Sequence, residues 1–417
     1  MAIQIDAEKK IFTLETDHTM YQMQADAYGV LRHLWYGAKT GCDMSYLQDY
    51  PDVGFSGNIY AAGNDRTYSL DTLPLEYAGA GVGDFRVPAV AAVHADGSSA
   101  LDLRYYSHTV KPGKYGIEGL PAVYAAEDEA ETLEVVLRDT ASAVEVTLLY
   151  AVLPALDLVT RCARIRNLGE TPVTLTKAAS LCLDISRGSW EWVHFHGRHA
   201  MERQMERRLL FHGIQEIGST RGTSSHHQNP TVLLCTPDCT ETAGACIGAA
   251  LVYSGSHQTR LECDQLGQVR MVMGIHPDLF RWELKAGETF STPEVMLSYS
   301  DTGLETLSHH FHQAIREHIC RGKYQLAERP VLINNWEATY FGFDTEKILH
   351  IAEEAARLGV DMLVLDDGWF GKRDDDCSGL GDWFVNETKL SGGLHDLVEK
   401  IKGMGMRFGI WFEPEMI

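Results

Sequence analysis

The 417-residue sequence has no run of about 18 consecutive apolar residues, so no segment reads as a membrane-spanning helix. Its first ten residues, Met1 to Lys10, carry no basic stretch followed by an apolar core. No secretory signal is read there, and the cytoplasm is the expected compartment. Positive charge is scarce: 36 Lys and Arg stand against 58 Asp and Glu, a net charge of −22. A surface this acidic repels phosphate backbones and anionic lipid, which argues against nucleic acid and membranes as partners. It favours a neutral or cationic ligand. Cysteine is sparse and irregular. Nine cysteines are an odd number without regular spacing, and in a chain with no visible signal they read as reduced thiols rather than a disulfide framework. The tightest group is Cys235, Cys239 and Cys246. No second ligand pair follows at zinc-finger spacing, so these read as free thiols in or near a β-region. Internal repeats and low-complexity tracts are also lacking.

What is present is ordinary globular composition, 45 % hydrophobic and 23 % charged. At about 100–200 residues per domain, the length suits two or three domains. The pattern changes near residue 325. Before it, short strands dominate. Val144, Val146, Leu148 and Tyr150 alternate with Glu145, Thr147 and Leu149, and Val173 and Leu175 alternate with Thr174 and Thr176. Turn signals separate them, among them Asp96-Gly97, Pro112-Gly113 and Asn229-Pro230. Many such strands over about 300 residues predict a large antiparallel β-sandwich. A helix closes this region, with Leu304, Leu307, Phe311, Ile315 and Ile319 on one face and His309, His310 and His312 read as solvated. Arg321–Pro330 reads as a linker.

After Pro330 the pattern becomes βαβαβ. Strands are expected at 331–335, 361–365 and 407–412, with amphipathic helices at 345–358 and 394–405. Strands alternating with such helices predict a parallel sheet. Polar and aromatic clusters follow each strand: Asn335-Trp336-Glu337, Asp366-Asp367-Gly368-Trp369 and Trp411-Phe412-Glu413. In an α/β barrel the site is built at those strand ends. A full (β/α)₈ barrel takes about 250 residues, and only 88 run from Pro330 to the last residue. The fold expected is therefore α+β and multidomain. Residues 1–325 form the sandwich with its terminal helix and linker, and residues 326–417 supply the first three βα units of a barrel that this sequence leaves incomplete.

Asp366 and Asp367 are charged acceptors suited to sugar hydroxyls or to a metal. Trp336, Trp369 and Trp411 suit stacking on the apolar face of a pyranose. The adjacent carboxylates do not suit the catalytic pair of a retaining glycosidase, which needs two groups about 5–5.5 Å apart on opposite sides of the scissile bond. Glu413 and Glu415 likewise come from one segment. The residues thus read as half of a sugar pocket.

Several long motifs resemble glycoside hydrolase family 36 α-galactosidases of the bacterial, cytoplasmic type. They are Asn334-Asn335-Trp336-Glu337-Ala338-Thr339-Tyr340-Phe341, Leu365-Asp366-Asp367-Gly368-Trp369-Phe370-Gly371 with the following Arg373-Asp374-Asp375-Asp376 and Leu380-Gly381-Asp382-Trp383, and Phe408-Gly409-Ile410-Trp411-Phe412-Glu413-Pro414-Glu415-Met416. In the first half, Asp65-Arg66-Thr67-Tyr68-Ser69-Leu70-Asp71-Thr72, Gly83-Asp84-Phe85-Arg86 and Ser224-Ser225-His226-His227-Gln228-Asn229-Pro230 are similar too. The resemblance implies retaining, cofactor-free hydrolysis of terminal α-galactosyl residues of melibiose, raffinose or stachyose. It implies that Asp366 and Asp367 bind galactose hydroxyls, that Trp336 and Trp411 line the pocket, and that the full protein is a homotetramer. In such a tetramer, Asp52 and Arg66 approach a neighbouring subunit's pocket. Two departures stand out. The segment Gly197–Arg203 usually holds a tryptophan, and His199 takes that place. The family nucleophile, in a Lys-Trp-Asp segment, and the later acid/base aspartate do not occur in these 417 residues. The resemblance therefore implies a portion inactive by itself. Alternatives are a non-catalytic sugar-binding or interaction protein of the same ancestry, a related α-N-acetylgalactosaminidase or galactosyltransferase, and a metal-dependent use of Asp366 and Asp367.

Overall fold

A computed structural model describes the chain except for residues 1, 53, 55–57, 140, 186, 225 and 415–417. Met1, Ser225, Glu415 and Met416, named above, lie outside the described residues. The chain divides into two units, Met1–Gln325 and Leu326–Ile417.

The first unit is a layered antiparallel β-structure. Strands Ile3–Asp6, Ile11–Glu15, Thr19–Ala25 and Leu31–Ala38 form a four-stranded meander. A ten-stranded sheet runs from the edge strand Met201–Leu209 through Glu191–Arg198 and Leu158–Asn167 to Arg104–Pro112, and a six-stranded sheet centres on the long strand Val173–Ile185. Alternation places Leu133, Val146, Ile165, Leu175, Leu181 and Met271 inward. One apolar cluster joins them with Phe12 and Tyr21 of the meander. This is the sandwich that the period-two pattern predicts.

Alternation fails at Leu149, which reads as outward yet is fully buried. The outer face of its strand is covered by the segment carrying Tyr115 and Ile117, which pack with Leu149, Ala151 and Cys162 in a satellite core. The closing helix, Leu304–His318, buries Leu307, Phe311 and Ala314, whereas Ile315 is exposed. Phe311 seats against Gly248, where a Cβ would collide with the ring. His309 and His312 are exposed as expected. His310 is not: its Nδ1 lies 2.8 Å from Ser298 Oγ, because that turn of the helix packs on the sheet. Cys235, Cys239 and Cys246 are buried free thiols packed beside this helix. Burial pushes the Cys235 thiol up to about 12, so it stays protonated and inert.

The second unit holds three short parallel strands, Leu332–Asn334, Met362–Leu365 and Arg407–Ile410, in that order in the sheet. Helix Thr345–Arg357 starts on Asp344, whose carboxylate accepts the Lys347 N–H at 2.9 Å, and buries Ile348, Ala352 and Ala355. Helix Gly393–Gly403 buries Leu397 and Ile401. Both helices pack into one core with Leu363, Leu365 and Phe370. The third strand ends at Ile410, two residues earlier than the sequence suggests. Trp411 and Phe412 therefore lie beyond the ladder, on the segment that follows the strand.

Candidate functional site

In-register pairing of Asn334 with Val364 and of Leu365 with Ile410 brings the C-terminal ends of the three strands to one edge. The side chains that follow are tied to one another. Asn335 is fully buried; its Oδ1 accepts the Asp366 N–H at 2.8 Å, and its Nδ2 donates to Thr339 Oγ1. Asn334 donates to Asp366 Oδ2 at 2.5 Å and accepts the Trp336 N–H at 2.7 Å. Asp366 Oδ1 accepts the backbone N–H of Asp367 at 2.7 Å. The Asp366 carboxylate is thus fixed by an amide side chain and a backbone donor, and it remains partly exposed. Two asparagines on the neighbouring strand end aim one carboxylate.

Asp367 has a different setting. It is buried, and Arg373 clamps it: Nε lies 3.0 Å from Oδ1 and Nη2 2.9 Å from Oδ2. This fork-on-carboxylate geometry is the strong form of a charged hydrogen bond. The hydrogen-bonded carboxylate holds the Arg373 guanidinium above its usual range. The turn that makes the clamp runs through Gly368 at φ 95°. A Cβ there would meet Phe341 at 3.1 Å and the Arg373 carbonyl at 3.3 Å, so glycine is required on both counts.

The three tryptophans also separate. Trp336 is partly exposed on the short helix Trp336–Thr339, and its ring meets Tyr340 and Phe341 edge-on at 5.2 and 5.0 Å. Trp411 is partly exposed and stacks near-parallel to Phe370, 6.4 Å away at 17°. Trp369, which the sequence suggests as a third stacking ring, is only 2 % exposed, and its indole N–H donates to the Trp411 carbonyl at 3.0 Å. It is core, because the Gly368 turn carries it under the sheet edge. Sequence reasoning gives no individual role to Arg373, Asn334 or Asn335. The sequence signals for Arg373 are its place in the family-like stretch Arg373-Asp374-Asp375-Asp376 and its position six residues past an aspartate, across a glycine.

In the first unit, Asp52 and Arg66 form a surface ion pair at 3.0 Å with both side chains more than half exposed. Asp52 Oδ1 also accepts the Gly54 N–H. His199 is exposed in the turn between strands Glu191–Arg198 and Met201–Leu209. Among the described residues, no group of three or more His, Cys, Asp or Glu is placed to hold a metal ion, and no helix is long and apolar enough to cross a membrane.

Proteins similar to this chain match it along its whole length. The bifunctional α-galactosidase/sucrose kinase AgaSK of Mediterraneibacter gnavus is 54 % identical over 417 residues, covering 100 % of this chain and 45 % of its own length. Crystal structures of Geobacillus stearothermophilus AgaA variants, one in complex with raffinose and one with stachyose, superpose with a TM-score of 0.95 each at 43 % and 44 % identity. Each match covers 98 % of this chain and 57 % of the AgaA chain. The chain spans about half the length of the curated relatives it matches. Residues 289–417 match the Melibiase family. Residues 29–285, more than half of the chain, match the glycosyl hydrolase family 36 N-terminal domain, and the sandwich and barrel start described above are the fold of those relatives. By that measure, this chain belongs to glycosyl hydrolase family 36.

Proposed function

We propose that the chain supplies the sugar-recognition edge of a retaining α-galactosidase acting on terminal α-galactosyl groups of melibiose, raffinose and stachyose. The observation that carries this is Asp366: a fixed, partly exposed carboxylate at the C-terminal edge of a parallel sheet, flanked on the adjoining strand ends by Trp336 and Trp411. A carboxylate held this way accepts hydrogen bonds from two sugar hydroxyls without reorganising, and partly exposed indoles cover the apolar face of the ring. Asp367 acts from behind. Clamped by Arg373, it sets the turn that presents Asp366, and a sugar hydroxyl reaches it only by sharing it with the guanidinium.

Retaining hydrolysis needs a nucleophile and an acid/base from opposite sides of the scissile bond. Asp366 and Asp367 come from one side, so the catalytic pair is assigned to the half of the relatives that this chain does not match. The nucleophile attacks the anomeric carbon while the acid/base protonates the departing glycosidic oxygen, so the glycosidic bond breaks and a galactosyl–enzyme intermediate forms; the same residue then takes a proton from the water that releases galactose. No cofactor is required. The full protein is proposed as a cytoplasmic homotetramer in which Asp52 and Arg66 meet a neighbouring subunit's sugar. His199, with a smaller stacking surface than tryptophan, changes the preference for the sugar unit that follows galactose.

The uninterrupted reading frame that contains this chain is expressed and assayed on p-nitrophenyl α-galactoside. Release of nitrophenol is expected, and Asp366→Ala should lower kcat/KM at least 100-fold with an unchanged melting temperature. Activity that survives Asp366→Ala within threefold rejects the assignment.

A further inference from the structure

A cavity lies wholly within the first unit. It measures about 540 Å³ and is lined by the strand Leu31–Ala38, the segment 47–49 and residues at and beyond the end of the strand Val173–Ile185. That size falls within the range of about 300–1,000 Å³ usual for small-molecule sites.

Its walls pair aromatic rings with hydrogen-bonding groups. Trp35, Trp190 and Tyr299 are partly exposed. Trp35 is held flat on its own strand: its indole donates to the Ala38 carbonyl at 3.1 Å, and a Cβ on Gly37 would come within 2.8 Å of the ring. Tyr36 is 8 % exposed, and its buried hydroxyl has no hydrogen-bond partner among the described residues. Among the wall residues, Arg187 Nη2 lies 3.0 Å from Asp49 Oδ2, with the two side chains about half exposed.

We propose that this cavity binds a neutral saccharide at a site separate from the barrel edge. The rings offer surfaces for the apolar faces of a pyranose. Asp49 and Arg187, an acceptor beside a donor, match adjacent hydroxyls. An anionic ligand is disfavoured because Asp49 already offsets the Arg187 charge and the chain carries −22. A wholly apolar ligand would strand the polar wall.

The test is isothermal titration of melibiose into the full 417-residue chain carrying Asp366→Ala, which disables the barrel edge. One binding event is expected to remain, and Trp190→Ala added to it should weaken that event at least tenfold. The surface double variant Asp49→Ala/Arg187→Ala should do the same with an unchanged melting curve, and it decides the matter if Trp190→Ala fails to fold. Absence of any melibiose binding in the Asp366→Ala chain overturns the proposal while leaving the barrel reading intact. So does binding that the Asp49/Arg187 variant leaves unchanged. A dimer by light scattering that Trp190→Ala dissolves also overturns it, since a second copy of the chain would then fill the cavity.

Discussion

Both units pair their buried charges, but only the second sets a paired, buried carboxylate beside one that keeps an exposed side. In the sandwich, Arg161 and Glu76 are essentially inaccessible and 2.8 Å apart, and the hydroxyls of Tyr21 and Tyr150 donate to the same carboxylate at 2.5 and 2.7 Å. Arg270 likewise bridges Asp184 at 2.6 Å and Asp84 at 2.7 Å. These carboxylates are surrounded by partners, leaving little for a ligand. In the parallel-sheet unit one aspartate is saturated and its neighbour is not. Asp367 has its arginine, while Asp366 keeps an exposed side. Saturation marks scaffold, and an immobilised but unsaturated carboxylate marks a binding edge.

That contrast is open to attack, beginning with the largest effect. Arg161→Ala strands Glu76 in an apolar interior and should cost about 3–5 kcal/mol by urea unfolding. Burial alone would raise the Glu76 carboxyl, but Arg161 and the hydrogen bonds hold it below its usual range. Its folded value lies under its unfolded one, so its contribution is complete at neutral pH and is lost as pH falls through the folded value. The wild-type chain should therefore lose stability in acid more steeply than an Arg161→Met/Glu76→Leu variant. Arg373→Ala should cost less, about 2–3 kcal/mol, because the Asp367 pair is slightly more exposed. Arg373→Lys should recover only part of it, since an ammonium cannot reproduce the two-pronged contact. If Arg373→Ala were neutral, Asp367 would be a free ligand and the distinction between the two aspartates would fail. The smallest effect belongs to Asp52 and Arg66. A double-mutant cycle on this exposed pair should give a coupling of at most about 0.5 kcal/mol. A larger value would make the pair structural and remove the reason to look for a neighbour's ligand there.

Much of this organisation is legible in the order of residues alone. Period-two alternation exposes the sandwich, and apolar spacing of three and four exposes the two helices of the second unit. Polar residues following three successive strands locate the proposed binding edge. Each signal is local, because side-chain direction follows from the repeat of the element. Legibility ends where partners are remote or where a turn redirects the chain. Leu149 reads as outward because the segment that covers it lies some thirty residues away in sequence. Ile315 and Ala314 are neighbours on a helix, and the tilt of packing on the sheet chooses between them. Trp369 resembles Trp336 and Trp411 in composition and position, yet the Gly368 turn sends it inward.

The sequence by itself determined the two-part organisation, the parallel strand ends that carry the proposed site, and the residue types available there. The family motifs it carries are long enough to fix the fold of both parts. Only the tertiary structure decided which of two adjacent aspartates keeps an exposed side. Backbone periodicity places Asp366 and Asp367 on opposite sides of a strand, but it says nothing about a cation six residues on. Three-dimensional closure of the Gly368 turn brings Arg373 onto Asp367 and leaves Asp366 to the asparagines of the next strand. The Glu76–Arg161 pair depends on closure in the same way, because its two members are 85 residues apart and meet only when the sandwich packs.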